Sequence, residues 1–181
     1  MKKLGILLAS LFVMVLATQH VKADGTDPSG ASASADATAT IYTAIKIEKF
    51  SDLNFGRIFA TPEGGKVQIQ IDGTRSIADG TVVLFDTGSG HTPASFEVTG
   101  TPNAGFYIKL PTDDGGPSIP LTGPTDAEPM KITSFVHGAG ESPALDENGK
   151  KQFSVGGTLA VNPNQPAGIY TGTFDVIVAY N

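Results

Sequence analysis

The chain has no cysteine among its 181 residues. That absence excludes disulfides, thiolate chemistry and a lipid attachment at an exported N-terminus, so stability must come from the core alone. Basic side chains are scarce as well, twelve against eighteen acidic ones. Nucleic acid is therefore a disfavoured partner, because it would need a basic face to replace counterions. Histidine occurs three times, as His20, His91 and His137. The last two stand among glycines in expected loops, with no second histidine at H-x-x-x-H spacing, which argues against zinc. No G-x-S-x-G elbow accompanies the serines, and nothing points to a hydrolase of that kind. Apolar residues nowhere recur at helical spacing for long, and apart from residues 4–17 no stretch approaches the run of about eighteen that a membrane helix needs.

The chain does have a charged, greasy and small-residue order at its start: Lys2-Lys3, an apolar run over 4–17, then Val21-Lys22-Ala23. This is the layout of a secretory signal peptide cleaved after Ala23, and the apolar run is too short for a permanent span. Export to the periplasm, cell surface or medium is expected. Removing residues 1–23 takes away Lys2, Lys3 and Lys22 and no acidic residue, leaving nine basic against eighteen acidic side chains and a net charge of −9. Residues 24–37 are small, polar and unpatterned, a leader with too little apolar surface to repay ordering. Residues 38–181 then fit one domain with a sizeable core.

Twenty-two glycines, twelve prolines and short apolar runs point to an all-β domain of roughly nine or ten short strands, a sandwich or barrel. Ile41, Ile45 and Ile47 alternate with polar residues and predict a long strand over 39–47. Further strands are expected over 53–58, 67–71, 81–85, 95–99, 105–110, 130–136 and 152–161. Asp72-Gly73 marks a hairpin, Gly156-Gly157 a bulge, and 111–129 a loop. The last strand carries Phe174, Val176, Val178 and Tyr180 on one face and Asp175 and Ala179 on the other. A hydrophobic strand there must pair inside a sheet or present an edge to a partner.

One catalytic look-alike stands out. Residues 82–89, V-V-L-F-D-T-G-S, resemble the D-T-G-S motif of aspartic peptidases, which need two facing carboxylates sharing a proton. No second D-T-G or D-S-G occurs, so that reading needs a homodimer built on Asp86; the alternative is a strand ending in turn residues. Asp113-Asp114 and Asp146-Glu147-Asn148 lack the ordered alternation of an EF-hand, and no metal, cofactor or catalytic group is expected.

Pro166-Ala167-Gly168-Ile169-Tyr170, followed by Phe174, Val176, Val178 and Tyr180, resembles the C-terminus of chaperone-usher pilin subunits and of spore-coat U-like secreted proteins. In those families a glycine stands fourteen from the end and an aromatic next to last, the places of Gly168 and Tyr180 here. Residues 53–58, L-N-F-G-R-I, resemble the element that opens such subunits. The mature chain as a whole is most similar to a cysteine-free secreted bacterial family known as domain of unknown function 4402. The resemblance implies an immunoglobulin-like, pilin-like sandwich lacking one strand, its groove filled by a periplasmic chaperone or a like subunit through strand addition. Carried onto this chain, residues 39–47 are the donor, with Ile41, Ile45 and Ile47 as anchors, and the strand ending in Tyr180 is a groove wall. The resulting expectation is a non-catalytic structural or adhesive subunit of a bacterial surface structure. The alternatives are a self-contained sandwich binding a carbohydrate or protein through its loops, and the peptidase of Asp86.

Overall fold

A computed structural model describes residues 30–85, 88 and 90–181. The expected signal peptide, residues 24–29 of the expected leader, and Asp86 lie outside the described residues. The chain divides into two units, residues 1–39 and 40–181. In the first, residues 30–39 are exposed and carry no helix or strand.

The second unit has eleven strands in chain order: β1 (Lys46–Ser51), β2 (Arg57–Phe59), β3 (Gly65–Ile69), β4 (Arg75–Gly80), β5 (Val83–Phe85), β6 (Ala94–Thr99), β7 (Phe106–Lys109), β8 (Ile119–Leu121), β9 (Met130–His137), β10 (Lys150–Val161) and β11 (Ile177–Tyr180). The only helical element among the described residues is a single 3-10 turn, Asp113–Gly115. All pairings are antiparallel, and the curled sheets make a β-sandwich. Seven strands form the main sheet, and β2–β5 and β7–β11 form two separate ribbons.

The long strand β10 organises the main sheet. It pairs with β6 over its first half, with β3 over its second, and with β9 from Val155 to Ala160. Gly156 stands at the changeover, where an added Cβ would fall 2.3 Å from the Ile69 carbonyl oxygen. The glycine pair was expected to mark a bulge; the register shift against β9 comes one residue later, between Thr158 and Leu159. Gly156 is needed for close backbone approach. The core gathers Val67 and Ile69 of β3, Phe96 and Val98 of β6, Phe106 of β7, and Phe153, Val155 and Leu159 of β10. Their two-residue alternation along β3 and β6 places one face inward.

Several boundaries differ from expectation for identifiable reasons. The strand over 39–47 begins only at Lys46, because residues 40–45 have no neighbouring strand to complete a ladder. Alternation predicts an extended face, whereas a strand also needs a partner. Over 53–58, Asn54 makes an isolated bridge to Thr92 and Gly56 takes φ +74°, delaying β2 to Arg57. Strand β4, R-S-I-A-D-G, lacks apolar alternation and lies at the sheet edge, paired only with β3. Strand β8 carries Pro120 and lies within the segment read as a loop; it also pairs with one neighbour only, where a missing N–H is tolerated. His137 closes β9 instead of lying in a loop. The hairpin at Asp72-Gly73 forms as expected: Gly73 has φ +86°, and Asp72 Oδ1 accepts the Thr74 N–H at 2.8 Å.

Gly156→Ala should lower stability by about 1–3 kcal/mol through overpacking at a backbone contact that cannot yield cheaply. Urea unfolding checks this against Gly30→Ala, where nothing lies within 4 Å and no change is expected.

Candidate functional site

The C-terminal segment enters through a tyrosine corner. Tyr170 donates its hydroxyl to the Pro166 carbonyl at 2.8 Å and accepts from Gln165 Nε2 at 2.8 Å. A hydroxyl bonded to a carbonyl just upstream is a device of immunoglobulin-like sandwiches. The ring lies against Gly123, where a Cβ would come within 2.2 Å of it. Gly168 is exposed and faces Pro124 so closely that a Cβ would be 2.3 Å from its Cγ. Contact, not an unusual φ, therefore explains that glycine. Thr171 and Thr122 then exchange main-chain hydrogen bonds at 2.8 and 2.9 Å.

From Phe174 to Val178, side chains alternate as expected. Phe174, Val176, Val178 and Tyr180 are half-buried against the core, with Phe174 packed on Phe135 at 4.7 Å between ring centroids. Asp175 is exposed and Ile177 is 54% exposed. Main-chain pairing is much shorter than this alternation. Among the described residues, no ladder includes residues 172–176, and β11 pairs only with β7.

The register identifies which edge of the ribbon is open. Asn181 donates to the Gly105 carbonyl, and Ile177 and Ala179 face Lys109 and Tyr107 in the same alternating set. Antiparallel pairs alternate between bonded and non-bonded, so the main-chain groups of Val178 and Tyr180 point away from β7. No strand meets them among the described residues. The far edge of β7 is better protected. Phe106 N–H donates to the Pro143 carbonyl at 3.0 Å, and Leu110 N–H to Asp113 Oδ2 at 2.7 Å.

Tyr180 links this edge to the described part of the N-terminal segment. Its hydroxyl donates to the Thr43 carbonyl at 2.7 Å and accepts the Thr101 N–H at 2.7 Å. Thr43 N–H in turn donates to Thr101 Oγ1 at 2.7 Å. The Tyr42 and Tyr180 rings meet edge to face at 5.2 Å. Gly100 leaves room for the hydroxyl, since a Cβ there would lie 2.1 Å from it. Of the three expected anchors, Ile45 and Ile47 are half-buried against their own core, and Ile47 stands opposite Val98 in β6. Ile41 is 91% exposed. Tyr180 is thus brought to residues 42–43, while Ile41 enters no pocket of its own domain. Thr43, Gly100 and Thr101 escaped the sequence reading, because a hydroxyl bonded to main-chain atoms leaves no pattern in the chain.

A family model described as a domain of unknown function, DUF4402, matches residues 45–180. The chain belongs to the DUF4402 family. Searches among curated proteins and among solved structures find no match. The matched span of the DUF4402 chain opens at Ile45, the first hydrophobic residue packed on the core, and closes at Tyr180.

The main sheet carries a charge arrangement across β1, β6 and β10. Glu48 and Glu97 stand opposite each other across β1 and β6, a repulsive placement. Glu97 accepts from Gln152 Nε2 at 2.9 Å and Lys150 Nζ at 3.1 Å. The Gln152 amide first, and the Lys150 ammonium second, hold its carboxyl below the ordinary carboxylate range. Among the described residues no group of three or more histidines and carboxylates is arranged to hold a metal, and no helix is long and apolar enough to cross a membrane.

Tyr180→Phe should cost about 1–2 kcal/mol by leaving the Thr101 N–H without its acceptor. It should also speed hydrogen exchange at Thr101, and an unchanged Thr101 rate would contradict the bond. Glu97 has a depressed folded pKa, so its contribution to stability is present above the unfolded value of about 4.3 and is lost as pH falls through the lower folded value. Acid titration of unfolding should therefore show a shallower loss in Glu97→Gln than in the parent chain.

Proposed function

We propose that this DUF4402 protein is an exported, non-catalytic structural subunit of a bacterial surface structure, joined to its neighbours by strand addition along β11. The single observation that carries the reading is the unpaired edge of that strand. Val178 and Tyr180 direct main-chain donors and acceptors outward, and residues 172–176 extend the same alternating face without a ladder. An added strand would satisfy those groups, and its alternate side chains would set the register. A like subunit is the favoured donor, with a periplasmic chaperone occupying the same edge before assembly. Each isoleucine buried in such a joint contributes about 1.5–3 kcal/mol.

A second reading is favoured by the position of Ile45 and Ile47. Both pack on their own domain, and β1 pairs with β6 of the same chain, as in a sandwich that completes itself. The two readings differ in whether residues 39–47 can exchange between copies, which is low in cost when the same contacts re-form in the partner.

The test uses a chain begun at Lys46, which keeps β1, titrated with a synthetic peptide spanning residues 39–47. Strand addition predicts saturable binding and slowed amide exchange at Val178 and Tyr180, with Ile177 and Ala179 little changed because they already bond to β7. Unchanged exchange at Val178 and Tyr180 under excess peptide would rule strand addition out.

A further inference from the structure

The exposed face of β1, β6 and β10 is not part of the strand-addition edge, yet it carries a built concavity. Rows of cross-strand neighbours line it: Lys46, Thr99 and Lys150; Glu48, Glu97 and Gln152; Ser51, Ser95 and Ser154. These rows are polar throughout. The pairing of β1 with β6 is interrupted between Lys49 and Ser51, where Phe50 is inserted as an extra residue. A bulge re-aims the inserted side chain. Here it brings Phe50, 59% exposed, into the lining of a cleft of about 340 Å³ shared with Ser95, Phe96, Gln152, Phe153 and Ser154.

Neighbouring bonds position the polar groups in that cleft. Ser51 donates to the Pro93 carbonyl at 3.0 Å, so in the 2.7 Å contact between Ser51 and Ser95 the Ser95 hydroxyl is the donor. The Ser95 oxygen keeps acceptor capacity. One Gln152 N–H is committed to Glu97, which is itself bonded to Lys150. That chain fixes the amide while leaving its oxygen and second N–H available.

We propose that this cleft is a binding site for a neutral saccharide. The C–H face of a pyranose ring carries partial positive charge and stacks on the negative face of an aromatic ring such as Phe50. Its hydroxyls both donate and accept, matching the Ser95 hydroxyl, the Ser154 hydroxyl and the Gln152 amide. Phe96 and Phe153 also line the cleft but are buried in the core, so Phe50 is its one exposed ring; a single exposed ring beside uncharged polar groups suits a sugar better than an apolar peptide, which would need several apolar pockets. The site is independent of strand addition, because it lies on a different sheet from β11.

The experiment is a titration of the mature chain with cello-, malto-, xylo- and chito-oligosaccharides, followed by amide and side-chain NMR shifts. At least one series should give saturable shifts at Phe50, Ser95, Gln152 and Ser154. Phe50→Ala should weaken that binding about tenfold or more, and Gln152→Leu should weaken it with the fold kept. Phe59→Ala, which removes an exposed phenylalanine from β2, should leave it unchanged. Absence of saturable binding by all four series at millimolar concentration overturns the proposal, as does binding that Phe50→Ala leaves intact or Phe59→Ala abolishes.

Discussion

Every strand carries main-chain donors and acceptors along two edges, and a sheet is stable only when those edges are paired, covered or blunted. In this chain the edges receive unequal treatment. β4 ends the main sheet with a short, largely exposed run containing Arg75 and Asp79. β8 carries Pro120, and β7 is closed by the Pro143 carbonyl and the Asp113 carboxylate. β11 combines a hydrophobic inward face, Phe174 to Tyr180, with an outward edge that no strand of the described chain meets. The Tyr180 hydroxyl holds residues 42–43 near its end through side-chain contacts, without the main-chain bonds a strand would provide.

The absence of cysteine makes this arrangement demanding. Without cysteine no disulfide can add stability, and the continuous core of β3, β6 and β10 must suffice. Close backbone packing at Gly156 and the Tyr170 corner serve that end, each removing space that a side chain or water would otherwise occupy. A domain held by its core can tolerate an open edge, because the ribbon of β7 and β11 adds its inward side chains without belonging to the main sheet.

Much of the architecture was legible in the chain. The alternation of Val67 and Ile69, of Phe96 and Val98, and of Phe174 to Tyr180 reported real inward faces, because burial on one side of a strand leaves a period of two. Pairing was not legible. Ile41, Ile45 and Ile47 share one alternating pattern, yet the first is exposed and the other two pack on the core. The edge strand R-S-I-A-D-G has no buried face to pattern it, and I-P-L lies between the turn residues Asp113 to Pro117 and Gly123-Pro124, which make the whole segment look like a loop. The Tyr180 site was only half visible: its aromatic stood at the expected place, whereas its partners Thr43, Gly100 and Thr101 meet it through main-chain atoms and empty space. Likewise the bulge that exposes Phe50 is a property of register, which depends on both strands at once.

The central claim is that one edge of β11 is open in the isolated chain. Amide hydrogen exchange along residues 177–180 tests it most directly. The account predicts a two-residue alternation, with Ile177 and Ala179 protected by β7 and Val178 and Tyr180 exchanging rapidly. Equal protection at all four amides would contradict it, because β11 would then be paired on both sides.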